Sequence, residues 1–390
     1  MPKKAYKTEI DPTSEQRTKI NQTIGTCRYV FNFYLGKNQE LYEEDGSFMN
    51  GYDFSKWLNN EFIPNNPDKN WIKDVSSKAV KQSIMNGHTA FKRFFDGISG
   101  FPNFKKKKDQ DVKAYFPKNN DTDWTTERHR VKIPTLGWVR LKEFGYIPPS
   151  SKITSGTVSR KGDRYYVSVL CEVPETKKPV NLTGEGLGVD LGLSEFATVS
   201  NGTVYKNINK SKKVKKSEKK LRREQRSLSR KYESKKNKGG MASFKHANIN
   251  KNITRVQKIH IKLANIRSEY VRTVADELAK TKPEYIVIED LNVSGMMKNK
   301  HLSKAIAGQH FYDFKIQLIS KCNKYGIELR QADRWYPSSK LCSNPGCNNI
   351  KVDLKLSDRT YHCDKCGITI DRDLNAAYNL RDADKFIVLT

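Results

Sequence analysis

The sequence predicts a multidomain α/β protein, and three observations along its 390 residues support that fold class. Apolar residues recur at helical spacing in residues 11–100. Short runs in which apolar and polar residues alternate follow in residues 101–180, as expected for strands. Beyond them, strands alternate with long helices, and two close pairs of cysteines interrupt this order. We therefore expect a helical region, a β-rich region and a mixed sheet covered by helices.

Positive charge is the strongest compositional feature. The chain has 72 Lys and Arg against 43 Asp and Glu, which gives a formal net charge of +29. An excess this large is beyond what solubility requires and is typical of a protein that binds nucleic acid. A membrane-surface protein would concentrate its charge on one amphipathic helix, and the sequence has no apolar run long enough to span a bilayer. We expect polyanionic partners, no membrane association and, without an apolar signal segment, a cytoplasmic location.

Residues 11–100 are predicted to form a small helical bundle. Thr13 and Gln16 have the spacing of a capping box, and a long run with helical periodicity follows them. A second amphipathic helix is predicted to begin at Ser76 or Ser77.

Residues 101–180 are predicted to form a small β-barrel. Residues 1–10 would add one strand to it, so that the helical bundle is an insertion. Four alternating runs indicate strands, and they are Val131–Ile133, Trp138–Leu141, Thr154–Arg160 and Tyr165–Val173.

A basic loop with aromatic flanks, Phe101–Pro117, is expected before these strands. Its aromatic rings would stack on bases while Lys105, Lys106 and Lys107 contact phosphates. The alternative is a solvated linker, and the residues do not favour either interpretation.

From residue 181 the predicted order is three antiparallel strands, helix, strand, helix, strand, helix. Asn201-Gly202 is a strong hairpin signal between the second and third strands. This order is typical of an RNase H-like α/β domain, in which the first strand is central. The strand after the long helix lies beside it, and the last helix packs over both. We predict this domain for residues 181–334 and 368–390.

The most basic segment, Lys206–Lys238, holds 16 Lys and Arg against 3 Glu. It contains a predicted solvated helix that includes Arg222 and Arg223. Its length and sign favour contact with phosphates over an inert charged surface.

Three acidic residues have related positions in this predicted domain. Asp190 ends the first strand, Glu289 ends the next core strand, and Asp373 opens the final helix. Spacing alone does not decide between Glu289 and Asp290, whereas Asp371 suits a helix-capping role. Singly, each acid has an alternative as a turn residue or a solvated strand end. Together they are suitable ligands for two Mg²⁺ ions that support phosphodiester cleavage by in-line attack of water.

Four of the seven cysteines form the pairs Cys342/Cys347 and Cys363/Cys366, with 15 residues between the pairs. Four thiolates at about 2.3 Å saturate a zinc ion, so the pattern predicts one structural Zn²⁺. The first pair is longer than the usual Cys-x₂-Cys, and Gly346 would let its loop turn back. A zinc deaminase would need an open coordination position, which four cysteines do not leave.

These motifs resemble the RuvC-like nuclease and zinc ribbon of the TnpB family, transposon-encoded relatives of the type V CRISPR effectors. The matching segments are Gly188–Gly192, Ile288–Leu291, Ser338–Ser343 and Asp371–Ala377. The resemblance implies a wedge barrel (1–10 and 101–180) with an inserted helical recognition domain (11–100). It also implies that residues 335–367 are a zinc ribbon inserted in a RuvC-like nuclease domain.

By the same resemblance, the protein binds a guide RNA derived from the transposon end and cleaves complementary double-stranded DNA beside a short adjacent motif. Asp190, Glu289 and Asp373 match the family's catalytic acids, and the four paired cysteines match its zinc ligands. Ser77 and Gln82 fall in the segment that reads the adjacent motif, and glutamine can pair bidentately with adenine. Two alternatives stay open: an RNA-guided DNA-binding regulator without cleavage, and a guide-independent transposase or structure-specific nuclease.

Overall fold

The computed structural model describes most of the chain in two units, Met1–Thr176 and Lys177–Thr390. The described residues are 3–106, 112–118, 120, 123–149, 151–173, 181–237, 246–355 and 357–390. Lys107 and Lys238, the last residue of the basic segment, lie outside them. None of the helices in the described ranges combines the length and the apolar character that a membrane span requires.

The first unit contains a seven-stranded antiparallel sheet with the order β2-β6-β7-β1-β5-β4-β3. The strands are β1 (Lys3–Asp11), β2 (Val112–Pro117), β3 (Thr125–Thr126), β4 (Arg130–Ile133), β5 (Gly137–Leu141), β6 (Ile153–Lys161) and β7 (Arg164–Glu172). As expected, the N-terminal strand joins this sheet, between β7 and β5. Alternation along β7 buries Tyr165, Val167 and Val169 in the core of this unit. Closure of the sheet into a barrel stays a prediction.

The prediction of a loop over Phe101–Pro117 was wrong for its last six residues, Val112–Pro117, which form strand β2 paired with β6. Ala114 and Phe116 are buried there, whereas Lys113 and Tyr115 are exposed. This alternation is the signature of a strand, but the lysine run before it obscured the short pattern in the sequence.

The helices of the first unit lie between β1 and β2 in the chain. They are α1 (Ser14–Asp45), α2 (Gly51–Trp57), α3 (Ile63–Asn65) and α4 (Ser77–Phe95), with a π-helical turn Leu58–Phe62 and a 3₁₀ helix Pro67–Asp74. The predicted capping box is confirmed, because the Thr13 hydroxyl accepts the Gln16 N–H and the Gln16 side chain accepts the Thr13 N–H. The aromatic residues Phe31, Tyr34, Phe54 and Phe91 form the core of this helical region.

The second unit contains a mixed six-stranded sheet with the order β10-β9-β8-β11-β12-β15. The strands of this unit are β8 (Gly186–Leu191), β9 (Glu195–Val199), β10 (Val204–Lys206), β11 (Tyr285–Ile288), β12 (Glu328–Ala332), the hairpin β13 (Thr360–His362) and β14 (Thr369–Asp371), and β15 (Phe386–Val388). Strands β8, β11 and β12 are parallel, and β8 lies between β9 and β11 as predicted. The chain was expected to close on a helix, but β15 follows as an antiparallel edge strand with Ile387 and Val388 exposed.

Six helices are described in the second unit. They are α5 (Lys212–Asn237), α6 (His246–Lys280), α7 (Val293–Met296), α8 (Ser303–Gln309), α9 (Phe311–Tyr325) and α10 (Arg372–Arg381). The basic helix α5 covers most of the basic segment Lys206–Lys238 and packs along α6. Phe196, Phe311 and Phe314 belong to the main core of this unit, between the sheet and its helices.

Candidate active site and metal centre

Two of the predicted acids lie at the same edge of the second sheet. Asp190 is the fifth residue of β8, and Glu289 directly follows β11. Val189 pairs with Ile288 in the parallel register of these two strands, so the next residue on each strand is one of the acids. Adjacent parallel strands therefore bring Asp190 and Glu289 side by side although they are far apart in sequence.

The third acid, Asp373, lies in the first turn of α10, which packs directly on β8. Ala376, Ala377 and Leu380 on this helix are buried. A Cβ atom on Gly188 would lie 1.9 Å from the backbone oxygen of Ala377, so only glycine allows the two backbones this close. The sequence predicted that the last helix packs over β8, but not the fit of Gly188 against the helix backbone.

Burial acts on all three acids, and repulsion by the other two acts on Asp190. Burial raises the pKa of Asp190 well above its ordinary value, and the charges of Glu289 and Asp373 raise it further. Burial also raises the pKa of Glu289, against a lowering by its hydrogen bond with Ser338. The pKa of Asp373 is raised by burial and then by the charge of Asp371. A cation would relieve this repulsion, so the donor set fits a hard divalent ion such as Mg²⁺.

The two acids next to these residues in sequence, Asp371 and Asp290, have other hydrogen-bond partners. The Asp371 carboxylate caps α10 by accepting the N–H groups of Asp373 and Leu374, both at 3.0 Å, as the sequence indicated. Asp290 forms an ion pair with Arg334, whose Nε donates to Oδ2 at 2.8 Å.

Glu289 has a different partner, since the Ser338 hydroxyl donates to its Oε1 at 2.6 Å. Ser338 is 49 residues away in sequence, so residue spacing gave no sign of this contact. The hydrogen bond fixes the orientation of a carboxylate that would otherwise rotate freely.

The four paired cysteines form a compact sulfur cluster. Their Sγ atoms all lie within 4.8 Å of one another, with 3.6 Å between Cys342 and Cys366 and between Cys347 and Cys363. Tetrahedral coordination with zinc–sulfur bonds of about 2.3 Å places ligand sulfurs roughly 3.8 Å apart, so the cluster fits one zinc ion. Gly346 has a φ of 78°, which lets the longer first loop turn back as expected. The other predicted ligands, the three acids, are not grouped this tightly in the described chain.

Backbone hydrogen bonds prepare this cluster for metal binding. The N–H of Cys366 lowers the pKa of the Cys363 thiol to about 6, which favours the thiolate that binds metal, whereas burial raises the pKa of Cys342. The other three cysteines, Cys27, Cys171 and Cys322, are buried and belong to the hydrophobic cores of the two units.

Two buried asparagines join the cysteine module to α10. The Asn375 side chain donates to the Leu341 carbonyl at 2.7 Å and accepts the Ser343 N–H at 3.0 Å. The Asn379 side chain donates to the carbonyls of Ser338 and Leu341, both at 2.7 Å. The residues on both sides of Cys342 are thus fixed to the helix that carries Asp373.

A cationic cleft of about 670 Å³ lies in the first unit between α1, α4 and the sheet. Its lining includes the predicted residues Gln82, Lys105 and Lys106. Cationic residues that the sequence analysis did not identify also line it, and they are Lys7, Arg28 and Lys113. Ser77 is exposed at the start of α4, outside this lining. In the second unit, Arg222 and Arg223 are exposed on α5.

Three family models match parts of this chain. A model described as "Probable transposase" matches residues 168–300, and one described as "Cas12f1-like, TNB domain" matches residues 311–380. A third, described as "Helix-turn-helix domain", matches residues 1–47, where the described chain consists of strand β1 followed by helix α1.

Full-length relatives extend the similarity. A protein of Streptomyces pristinaespiralis named "Putative RNA-guided DNA endonuclease" is 30% identical over 97% of this chain and 88% of its own length. A protein of Escherichia coli K12 with the same description is 29% identical over 96% of this chain and 91% of its own length. A TnpB-like protein of Acanthamoeba polyphaga mimivirus is 30% identical over 96% of this chain and 72% of its own length.

Among solved structures, the "Cryo-EM structure of the Cas12f1-sgRNA-target DNA complex" contains a chain that is 16% identical, with a TM-score of 0.36 over 98% of this chain and 99% of that one.

The mixed sheet, its inserted cysteine module and the acids at one sheet edge define an α/β protein of the nuclease type found in mobile elements. The chain belongs to the TnpB family, as its identity to full-length relatives shows.

Proposed function

We propose that this protein is an RNA-guided DNA endonuclease whose active site is formed by Asp190, Glu289 and Asp373. The observation that carries this proposal is the convergence of three half-buried acids from β8, β11 and α10 at one sheet edge. The second unit is then an RNase H-like RuvC domain with an inserted zinc ribbon. The names of the full-length relatives support the same activity.

The acids have roles that follow from their supports. Asp190 is fixed by the central strand, Glu289 is oriented by the Ser338 hydroxyl, and Asp373 is set by the packing of α10 against Gly188. Together they would hold two Mg²⁺ ions. When bound, Mg²⁺ activates water for in-line attack on a phosphodiester and neutralises charge on the attacking and leaving oxygens. Asp371 and Asp290 are left as helix cap and ion-pair partner.

The cationic cleft of the first unit is proposed to bind the DNA duplex that carries the adjacent motif. Lysines and Arg28 supply phosphate contacts, and Gln82 supplies an amide able to contact a base edge. The wedge and recognition domains predicted from the sequence are assigned to this unit, and Ser77 stays a candidate contact on α4.

The exposed cations of α5 are proposed to contact phosphates of the guide RNA or the heteroduplex. Replacing Arg222 and Arg223 together with Gln should lower the slope of log affinity against log salt by roughly 1 to 2, since each lost phosphate contact contributes about 0.7 to 0.9. An unchanged slope in filter-binding titrations would show that this face is inert.

The complete set of acids favours cleavage over the alternative of a DNA-binding regulator. The test is to purify the protein with its co-expressed RNA and to incubate it, with Mg²⁺, with duplexes that match or mismatch the bound RNA. We expect cleavage of the matched duplex alone, and RNase treatment before DNA is added should abolish it. Equal cleavage of both duplexes would identify a guide-independent nuclease. Guide-dependent binding without cleavage would identify a regulator.

A further inference from the structure

One tryptophan differs from the other four in its surroundings. Trp335 is 85% exposed, whereas Trp71 and Trp138 are 39% and 37% exposed. Trp57, Trp71 and Trp124 each pack against an aromatic ring, and Trp138 lies under the Arg130 guanidinium at 4.5 Å. Within the part of the chain that the structure describes, neither a ring nor a cation is recorded against Trp335. The indole of Trp335 is therefore open to a ligand that stacks on it.

The backbone around Trp335 is held firmly. Its N–H donates to the Asp333 carboxylate at 2.8 Å, and the Asp333 N–H donates to the Lys385 carbonyl at 3.1 Å. On the other side, the Tyr336 hydroxyl donates to the Asn379 carbonyl on α10 at 2.9 Å. Because these hydrogen bonds hold the turn, the backbone at Trp335 is already ordered. A ligand that stacks on the ring would therefore bind with little loss of conformational entropy in the protein.

This turn lies beside the proposed active site. Arg334 pairs with Asp290, the neighbour of Glu289, and Ser338 donates to Glu289 itself. A cavity of about 440 Å³ is lined by Glu289, Asp290, Arg334 and Tyr312, and the Tyr312 side chain is 66% exposed. A cation and an exposed ring thus line the approach to one of the acids, and Trp335 directly follows that cation in the chain.

Given the nuclease function proposed above, we propose that Trp335 is a stacking platform for an unpaired base of the DNA strand that enters the three-acid site. Bases of a duplex already stack on one another, so an exposed indole offers most to a base of a separated strand. Arg334 offers a cation to the adjoining phosphate once the strand competes with Asp290 for it. The platform would position the strand without selecting a sequence, because every base has a stacking face.

Tryptophan fluorescence tests this directly, with a short oligothymidylate as the probe. The full-length Asp190→Ala protein is used so that the probe is not cleaved. It is titrated at two salt concentrations, because phosphate contacts weaken with salt and can thereby be separated from stacking. We expect quenching that is absent in Asp190→Ala/Trp335→Phe and retained in the matched control Asp190→Ala/Trp138→Phe. Trp335→Ala should weaken binding about tenfold at both salt concentrations, and Trp335→Phe should restore most of the affinity. Equal quenching in the Trp335→Phe protein, or unchanged affinity in Trp335→Ala, would overturn the platform.

The stacking role of Trp335 and the proposed nuclease site can be refuted independently of each other. If Asp190→Ala still cleaves guide-matched duplex, the acid assignment fails, whereas the fluorescence result stands by itself. If Asp190→Ala is inactive and Trp335→Ala cleaves and binds like the unaltered protein, the active site stands and the platform does not.

Discussion

The cysteine cluster and the acid cluster of the second unit are assembled in opposite ways. The four cysteines come from one segment, Cys342–Cys366, and their sulfurs already lie within 4.8 Å of one another. The three acids come from β8, β11 and α10, and the charges of Glu289 and Asp373 act on Asp190 although the acids are not grouped as tightly. Local spacing therefore builds the cysteine cluster, whereas sheet topology and helix packing build the acid cluster.

The two clusters are connected by the hydrogen bonds of Asn375 and Asn379. These bonds fix the residues around Cys342 to α10, so the order of the cysteine module should be transmitted to Asp373. We therefore expect zinc binding to support the structure around Asp373, and the acids to take part in the chemical step.

Among changes to the structure that supports the acids, the largest effect is expected from removing the zinc. Cys363→Ser, or chelation of the bound metal, should lower the rate of matched-duplex cleavage by about a hundredfold or more, because structural zinc contributes folding free energy directly. Zinc content by elemental analysis and single-turnover cleavage rates are measured in parallel. Cys322→Ala, a buried cysteine outside the cluster, is the control and should keep one zinc per chain. Full cleavage activity in a zinc-free protein would show that the acid cluster does not depend on the cysteine cluster.

A smaller effect is expected where α10 meets β8. Gly188→Ala places a methyl group against the Ala377 carbonyl, and such overpacking costs about 1–3 kcal/mol of unfolding free energy. Cleavage should fall with it, because α10 and Asp373 must move away from Asp190. Denaturant unfolding and cleavage rates give the two readouts. The control is Gly25→Ala in α1, where an added Cβ meets no atom within 4 Å, and it should leave both readouts near those of the unaltered protein. Normal cleavage by Gly188→Ala would show that the close approach is unnecessary.

The smallest effect is expected from Ser338→Ala, which removes the hydroxyl that donates to Glu289. Removing a group that orients a metal ligand typically lowers metal affinity or activity by about 10–100-fold, so cleavage should fall roughly tenfold or somewhat more. Thermal stability should change little. Ser338→Thr keeps the hydroxyl and should recover part of the rate, while Ser339→Ala serves as the neighbouring control. If Ser338→Ala and Ser339→Ala have the same rate, Glu289 does not depend on this hydrogen bond.

The features that the sequence predicted correctly are those with short-range signals. The capping box at Thr13, the cap at Asp371 and the turn at Gly346 each depend on a few adjacent residues. The central position of β8, with β11 beside it, was also predicted, because periodicity distinguishes the strands of this unit from its long helices.

The features that were missed depend on distant partners or on weak local patterns. Strand β2 follows a lysine run, and β15 is a three-residue edge strand with two exposed side chains. The contact of Ser338 with Glu289 and the fit of Gly188 under α10 join residues that are distant in sequence. No single-sequence pattern encodes such pairs, since they exist only once the sheet and the helix have packed.

We propose that cleavage requires Asp190, Glu289 and Asp373 but not the acids next to them in sequence. A comparison of Asp373 with Asp371 is the most direct test. Asp373→Asn removes a proposed metal ligand, whereas Asp371→Asn keeps a residue that caps a helix about as well as aspartate. The rate of guide-matched duplex cleavage in Mg²⁺ is measured for both variants, each loaded with the same RNA. We expect the cleavage rate to fall by at least about a thousandfold in Asp373→Asn and to stay within about threefold of the unaltered protein in Asp371→Asn. Equal rates for the two variants, or a larger loss for Asp371→Asn, would contradict the assignment of Asp373 to the active site.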